Sequence, residues 1–272
     1  MVKYRYGGVF IYLDFIKMHG CGNDYIYFGG FRGRVADPHT MDLFGLCDRH
    51  KGIGGDGIVL VLPSVVAHGR MQMFNIDGSE GAMCGNAIRC VAKLLFDEQI
   101  APADMEIETA SGVKKITVYH ENGVAHSAQV DMGQAVLGGD CSCEGYKLTR
   151  VSMGNPHAVA FLDEIDNLDL ETIGPPIENN PIFPDRVNTE FVQVIARNHL
   201  KMRVWERGSG ETMACGTGAC AAAVAAVLNG FCDMDTDITV DLRGGSLIIK
   251  YTKDTVLMTG DCVKVFEGKV EI

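Results

Sequence analysis

Two cysteines, Cys84 and Cys215, occupy positions where a thiol could do acid–base chemistry. Each opens a segment that continues with glycine, a small polar residue and a long apolar run, as in Cys84–Phe96 and Cys215–Leu228. Apolar runs of this helical composition predict buried helices, so each thiol would lie at a helix N-terminus. The unpaired N–H groups and the dipole at that end lower a thiol pKa. The same N–H groups can hold a substrate carboxylate.

Two such cysteines in corresponding places of two similar segments favour proton transfer over a single nucleophilic attack. Inverting a carbon needs a base on one face and an acid on the other. Three alternatives stay open at this point: a redox sensor with a reversible disulfide, a non-catalytic barrel that binds a small amino acid, and two cysteines that merely pack beneath turns. Deuterium entry at Cα in heavy water separates the enzyme from the redox sensor and from the non-catalytic barrel.

Short runs rich in β-branched residues, bounded by Gly, Asp or Asn, surround both predicted helices and predict strands. These runs are Ile58–Leu62, Met105–Thr109, Val113–Tyr119, Ala128–Met132, Ala158–Phe161, Glu190–Ile195, Lys201–Trp205, Ile238–Leu242, Leu247–Tyr251, Val256–Thr259 and Cys262–Val270. They predict an α+β fold of two similar halves, each a β-barrel-like sheet wrapped around a central helix. We expect halves at residues 1–129 and 130–261, with residues 262–272 returning to the first half. The Pro-rich segment Gly174–Pro184 is predicted to be a loop.

The charge balance of the chain restricts its partners. There are 24 basic against 35 acidic residues, for a formal net charge of −11. A nucleic-acid binder needs a basic face, and an acidic chain is also repelled by anionic membranes, so we expect neither partner. No apolar run approaches the length of a membrane span. Asp14 interrupts the apolar stretch Val9–Ile16, which therefore does not suggest a signal peptide, and we expect a cytoplasmic protein.

Ten cysteines could suggest disulfides or a metal site. A chain of this length without an export signal favours free thiols. The sequence contains no CxxC pair, so no zinc site is expected. The cysteines other than Cys84 and Cys215 are expected to be small buried hydrophobes.

The segment Gly52–Gly57 matches the spacing of a dinucleotide-binding loop, GxGxxG. That loop needs a strand before it and a helix after it. Here polar residues precede the segment and a strand-like run, Ile58–Leu62, follows it. The match therefore does not predict nucleotide binding.

Motifs spread through most of the chain resemble those of the diaminopimelate epimerase family. The matching pieces, in order, are Lys17–Asp24, Asp48–Gly57, Phe74–Glu80, Cys84–Asn86, Val151–His157, Arg186–Glu190, Glu206–Thr212 and Cys215–Gly218. Proline and hydroxyproline racemases share the general architecture, but they usually have histidine after the first Cys-Gly, where this chain has Asn86. The resemblance implies a pseudo-twofold arrangement of the two halves and interconversion of LL- and meso-2,6-diaminopimelate in lysine biosynthesis. It implies no cofactor or metal, and a homodimer.

The family also implies a role for individual residues. The catalytic residues would be Cys84 and Cys215, with His157 and Glu206 as the polar partners that set the protonation of the thiols. The substrate-binding residues would be Asn23, Asn75, Gly85, Asn86, Asn155, Asn188, Glu206, Arg207, Gly216 and Thr217. An arginine such as Arg207 can clamp a carboxylate through two parallel hydrogen bonds.

The chain departs from the family pattern at three places. Gly57 stands where many members have glutamine, so a substrate-gating contact from that side chain is absent. Cys21 stands where leucine is common. The first ten or so residues precede the usual start and match no motif.

Overall fold

The computed structural model describes residues 12–30 and 37–272. Its contacts divide the chain into two compact units. Unit 1 comprises Met1–His126 with Cys262–Ile272, and unit 2 comprises Ser127–Asp261. Residues 1–10, which match no family motif, lie outside the described ranges.

Unit 1 is a sheet packed on one long helix. Its elements are β1 (Tyr12–Gly20), β2 (Asn23–Gly29), a 3₁₀ turn (Pro38–Thr40), α1 (Leu43–Cys47), β3 (Gly57–Leu62), β4 (Gly69–Asn75), β5 (Glu80–Gly81), α2 (Gly85–Asp97), β6 (Asp104–Thr109), β7 (Gly112–Glu121) and the start of β8 (Val124–Asp131). Helix α2 packs against β1, β2, β4, β6 and β7, and eleven of its thirteen residues are buried. Burial of the helix on nearly every side explains why its sequence is so apolar.

Unit 2 repeats this plan with a second buried helix. After β8 come β9 (Val136–Cys143), β10 (Tyr146–Ser152), β11 (Pro156–Phe161), α3 (Leu170–Glu178), β12 (Asn188–Ala196), β13 (His199–Glu206), β14 (Gly210–Glu211), α4 (Gly216–Leu228), β15 (Asp237–Leu242), β16 (Gly245–Tyr251) and β17 (Val256–Asp261). The Ala-rich helix α4 packs against β10 to β13 and β15 to β17. The last strand of the chain, β18 (Val263–Glu271), pairs with β1 in unit 1.

The two sheets have the same succession of strand pairings. In unit 1, β1–β2 is antiparallel, β2–β3 parallel, β3–β4 antiparallel, β4–β6 parallel and β6–β7 antiparallel. In unit 2, β10–β11, β11–β12, β12–β13, β13–β15 and β15–β16 repeat that order. In both units the helix connects the two strands of the second parallel pair. The predicted α+β fold of two similar halves, each wrapped around a central helix, is confirmed.

One predicted element is wrong. The segment Gly174–Pro184 was expected to be a loop, but its first part belongs to helix α3, which contains Pro175 and Pro176. Helix α3 forms because Leu170 and Ile177 are buried in the core of unit 2, and tertiary packing overrides weak local propensity. Strands β1, β2, β4, β5, β9, β10 and β14 are not among the predicted strands.

All ten cysteines lie in the described ranges, and none of them forms a disulfide there. Seven of the eight expected to be buried are so, and Cys141 is partly exposed. Within residues 12–30 and 37–272, no helix is long and apolar enough to cross a membrane.

Candidate active site

Helix α2 begins immediately after Cys84, as the sequence predicts. Cys84 has extended backbone angles, φ −131° and ψ 123°, and its side chain does not cap the helix. The N–H groups of Asn86 and Ala87 favour its thiolate form, and the sulfur lies 3.3 Å from Asn23 Oδ1. The first turn of the helix therefore presents its unpaired donors around the thiol.

Asn23 is the centre of a polar cluster around this thiol. Its Nδ2 donates to Asp56 Oδ2 over 2.7 Å, and its Oδ1 lies 3.4 Å from Asn86 Nδ2. Asn86 in turn accepts from Arg89 Nη2 over 2.9 Å, and Arg89 also donates to the Gly85 carbonyl over 3.2 Å. Asn23, Gly85 and Asn86 thus lie together with Cys84.

Asn75, a further residue that the family resemblance implies, is placed differently. It ends β4 with an exposed side chain, and its Nδ2 donates to Ser79 Oγ over 2.9 Å. Its partner across the sheet is Gly57. The Asn75 amide therefore makes its hydrogen bond within the turn that follows β4.

The expected lowering of the Cys84 pKa is wrong. Burial raises the pKa of the Cys84 thiol, and this effect outweighs the lowering by the N–H groups, the Tyr25 hydroxyl and the Arg89 charge. Desolvation disfavours the charged form of any thiol, and sequence alone does not reveal how deeply a thiol is buried. The N-terminus of the helix makes the increase in the Cys84 pKa smaller but does not turn it into a decrease.

Tyr25 is a neighbour of Cys84 that the sequence analysis did not single out. It is buried on β2, and burial together with the nearby thiol raises its pKa. A Cβ on Gly57 would lie 3.2 Å from Tyr25 Cε1 and 2.3 Å from the Phe74 carbonyl oxygen. The tyrosine ring thus borders the space that a side chain at position 57 would need. The available signal was a tyrosine two residues beyond Asn23 on the same strand face.

Helix α4 begins after Cys215 in the same way. Cys215 has φ −120° and ψ 108° and makes no capping hydrogen bond. Its sulfur lies 3.6 Å from Thr217 Oγ1, and the N–H of Gly218 favours its thiolate form. Gly216 is the first residue of the helix and is buried.

A chain of polar contacts leads away from Thr217. Asn155 Nδ2 donates to Thr217 Oγ1 over 3.2 Å, and Asn155 Oδ1 lies 3.0 Å from His157 Nε2. The other ring nitrogen, Nδ1, lies 2.6 Å from Glu190 Oε1. His157 therefore contacts Glu190 and Asn155 rather than a sulfur. Glu190 was not singled out, although an acid directly before the run Phe191–Ile195, in which Gln193 is the one polar residue, was a visible signal.

The remaining candidate residues cluster at the end of β13. Asn188 Oδ1 accepts from the Arg207 backbone N–H over 2.9 Å. The Arg207 guanidinium donates to the Asp185 carbonyl over 2.8 Å, and the Glu206 carboxylate accepts from the Thr212 hydroxyl. Asn188 is thereby tied to the segment that carries the acid and the arginine.

The expected lowering of the Cys215 pKa is also wrong. Burial raises the pKa of Cys215 well above that of an ordinary thiol, and the charges of Glu206 and Glu190 raise it further. The Thr217 hydroxyl and the Gly218 N–H lower this pKa only in part. Nearby negative charge adds to desolvation because both disfavour the thiolate.

Several known proteins resemble this chain in sequence. The family model described as diaminopimelate epimerase matches residues 15–138 and 149–265. A diaminopimelate epimerase from Desulfovibrio desulfuricans is 48% identical over 96% of this chain and 99% of its own length. A diaminopimelate epimerase from Acetivibrio thermocellus is likewise 48% identical over 96% of this chain and 99% of its own length.

Solved structures of lower identity share the fold. A hydroxyproline epimerase from Agrobacterium vitis superposes with a TM-score of 0.72 at 14% identity, covering 96% of this chain and 93% of its own. A PhzF-family phenazine biosynthesis protein from Bacillus anthracis gives a TM-score of 0.69 at 17% identity, covering 96% and 100%. At these identities the similarity concerns the fold alone, whereas the sequence matches cover nearly the whole chain at high identity. The chain therefore belongs to the diaminopimelate epimerase family.

Proposed function

We propose that this chain interconverts LL-2,6-diaminopimelate and meso-2,6-diaminopimelate in lysine biosynthesis by a two-cysteine proton transfer. The observation that carries the proposal is the placement of Cys84 and Cys215 at the starts of equivalent buried helices. This placement occurs in a chain whose 48%-identical relatives are named diaminopimelate epimerase. The functional halves are proposed to be residues 1–129 with 262–272, and residues 130–261.

In the proposed reaction one cysteine acts as a thiolate and the other as a thiol. The thiolate takes the α-proton, and the electron pair left on Cα is then protonated by the thiol from the opposite face. Each turnover moves one proton on and one proton off, so the two sulfurs exchange protonation states and the reverse reaction begins from the product. No cofactor or metal enters these steps.

The raised pKa values of both thiols suit this chemistry. An α-proton beside a carboxylate is very weakly acidic, so a more basic thiolate removes it more readily. The two helix starts offer N–H groups to a carboxylate whose charge grows as the proton leaves. Gly85, Asn86, Gly216 and Thr217 are the residues proposed to supply this contact.

The remaining candidate residues are proposed to recognise the substrate. Asn23, Asn75, Asn155 and Asn188 would order its polar groups, and Arg207 would bind a carboxylate bidentately. His157 and Glu206 would set the protonation of the thiols. Buried polar groups left unpaired by lysine would make the site reject it. We further propose a cytoplasmic homodimer.

Proton exchange in heavy water tests the reaction directly. Incubation of the purified chain with LL-diaminopimelate in D₂O should give meso product that carries deuterium at the inverted Cα. L-Proline and trans-4-hydroxy-L-proline, incubated in parallel, should gain no deuterium. Exchange into either imino acid without exchange into diaminopimelate would overturn the substrate assignment. Sedimentation of the same sample tests the dimer.

A further inference from the structure

Glu190 is a buried carboxylate whose placement is explained by neither packing nor substrate contact. Its side chain and that of His157 are both fully buried. Within the part of the chain that the structure describes, Glu190 Oε2 has no hydrogen-bond partner. A buried acid with one unpaired oxygen is costly, so its presence beside a thiol calls for a role.

The amide orientation that Asn155 has in the structure implies a number of protons on the His157–Glu190 pair. Asn155 uses its Nδ2 to donate to Thr217, so its carbonyl oxygen faces His157 Nε2. A carbonyl oxygen only accepts, hence Nε2 must carry a proton. The 2.6 Å contact between Nδ1 and Glu190 Oε1 then needs a second proton, bound to one atom or the other. The pair is therefore neutral overall, either as imidazolium with carboxylate or as imidazole with carboxylic acid.

This number of protons determines which group donates in each hydrogen bond between His157 and the Cys215 sulfur. His157 Nε2–H donates to Asn155, and Asn155 Nδ2–H donates to Thr217. The Thr217 hydroxyl proton is then left to donate to Cys215 Sγ, 3.6 Å away. Loss of the shared proton leaves His157 with Nδ1–H only, and Nε2 becomes an acceptor. Asn155 must then turn its amide, and Thr217 donates to Asn155 rather than to the sulfur.

A steric observation supports the pairing of Glu190 with Cys215. A Cβ on Gly218 would lie 2.7 Å from Glu190 Oε1 and 3.3 Å from Cys215 Sγ. The carboxylate and the thiol therefore both lie against the position that a Cβ would take, and a side chain there would press on both. Glycine costs helix stability in a helix interior, and here it permits this close approach.

We infer that Glu190 is a positioning residue that acts through His157 and Asn155 to hold the Thr217 hydroxyl as a hydrogen-bond donor to Cys215. The inference rests on the proposed function for its biological meaning, since the Cys215 thiolate is one of the two proposed bases. The other titratable groups whose charges reach this site are Glu206 on β13 and Cys215 itself. Glu190 touches none of the reacting atoms in this scheme.

The first test reads the proton on His157 without any turnover. Ring-¹⁵N spectra of the whole chain at neutral pH, with His157 assigned through His157→Gln, should show a protonated Nε2. An unprotonated Nε2 would overturn the inference, because Asn155 could then not be oriented as a donor to Thr217.

The second test measures alkylation of Cys215 by iodoacetamide, located by peptide mass spectrometry. Thr217→Val and Asn155→Asp should each slow the reaction roughly tenfold at fixed pH, because the first removes the hydroxyl donor and the second draws that hydroxyl toward the new carboxylate. The double variant should be no slower than Asn155→Asp alone, since that substitution already withdraws the Thr217 hydroxyl from the sulfur. Additive effects would overturn the inference. Alkylation of Cys84 serves as the internal control and should stay unchanged.

Substitution of Glu190 itself completes the set. Glu190→Gln can still donate to His157 Nδ1, so Nε2 keeps its proton and alkylation of Cys215 should stay within a few-fold of the wild-type rate. Glu190→Met cannot donate to Nδ1, so Cys215 should be alkylated as slowly in this variant as in Thr217→Val. Equal loss in both variants would indicate a purely structural carboxylate. If Glu190→Met does not fold, the spectra and the Asn155 and Thr217 variants still decide. Failure of the epimerase assignment would appear only in the heavy-water assay, whereas these readouts need no substrate.

Discussion

The starts of helices α2 and α4 share one backbone plan and opposite electrostatic surroundings. At both, a cysteine with extended backbone precedes a glycine, and an asparagine contacts the polar side chain that follows: Asn23 with Asn86, and Asn155 with Thr217. Around Cys84 the charged neighbour is a buried cation, Arg89, which favours the thiolate.

Around Cys215 the charged neighbours are two carboxylates, Glu190 and Glu206, which favour the thiol. In the proposed reaction the duplicated fold gives the two thiols equivalent backbone positions, and the charges make their surroundings different. Both pKa values are raised, so both sulfurs keep their protons at neutral pH, and the surroundings oppose the thiolate less at Cys84 than at Cys215. A catalytic pair needs one base and one acid at the same moment, and two identical environments would not provide them.

The largest expected effect comes from removing either sulfur. Cys84→Ala and Cys215→Ala should each lower epimerisation by about 10²–10⁴-fold, the usual contribution of a general acid or base. Circular dichroism and thermal unfolding should show that both variants keep the fold, because each loses only a small side chain. A single variant with turnover near that of the wild type would remove the two-base scheme.

The next effect distinguishes the two helices at their third residue, which is Ala87 in α2 and Gly218 in α4. Gly218→Ala should lower activity at least tenfold and the free energy of unfolding by about 1–3 kcal/mol, because its Cβ overlaps Glu190 Oε1 and overpacking carries that cost. The matched change Ala87→Gly should cost about 1 kcal/mol of helix propensity and leave the thiol environment intact. Urea unfolding and the heavy-water assay measure both quantities. Equal losses of activity would show that the close approach at Gly218 has no special role.

The third effect is the order in which the two thiols react as pH rises. Both pKa values lie above the ordinary thiol value of 9.0, and that of Cys215 is raised well above it. Thiolate is the reactive form, so the rate of alkylation of each cysteine should still be increasing at pH 9. The increase for Cys84 should come at lower pH than that for Cys215. Peptide mapping across pH 7–10 checks the order, and the reverse order would contradict the assignment of Cys84 as the more readily ionised thiol.

The raised thiol pKa values also make the folded chain less stable at high pH. A thiol with a raised pKa keeps its proton in the folded chain after the unfolded chain has lost it, so stability is full below pH 9 and falls as pH rises above it. Burial raises the pKa of Cys47 to about 11, so part of this loss should occur between pH 9 and 11. Urea unfolding of the wild type and of Cys47→Ala at pH 8 and pH 10 measures it. The variant should lose less stability over that interval, and an identical loss would show that Cys47 does not contribute.

The comparison also shows which features were readable from sequence. The helix starts were predictable because Cys-Gly followed by an apolar, Ala-rich run is a local signal. The sign of the thiol pKa shifts was not, because it depends on burial that only the surrounding sheet provides. Glu190 was missed for a related reason. The parallel register of β11 and β12, which pairs His157 with Asn188 and Val159 with Glu190, brings the acid beside the histidine across a long connection.

The smallest expected effect concerns Tyr25, which has no counterpart among the contacts of Cys215. Its hydroxyl favours the Cys84 thiolate, so Tyr25→Phe should raise the pKa of Cys84 further and slow its alkylation at fixed pH. A net hydrogen-bond contribution of about 0.5–1.5 kcal/mol corresponds to alkylation that is roughly two- to tenfold slower. The matched control is Tyr27→Phe, which loses a 3.4 Å contact to the Ala87 carbonyl two residues along the same strand.

Tyr25→Phe and Tyr27→Phe remove the same group, so the difference between them isolates the contact with the sulfur from any loosening of β2. Alkylation of Cys84 should be slower in Tyr25→Phe but not in Tyr27→Phe. Alkylation of Cys215 should be unchanged in both variants. Gly57 gives the steric counterpart, because a Cβ there would press on the tyrosine ring and on the Phe74 carbonyl. Gly57→Ala should therefore slow the alkylation of Cys84 when Tyr25 is present. In the Tyr25→Phe background, Gly57→Ala should slow it little further. If Gly57→Ala acts equally in both backgrounds, the backbone clash with Phe74 alone explains the glycine, and the ring has no part in it.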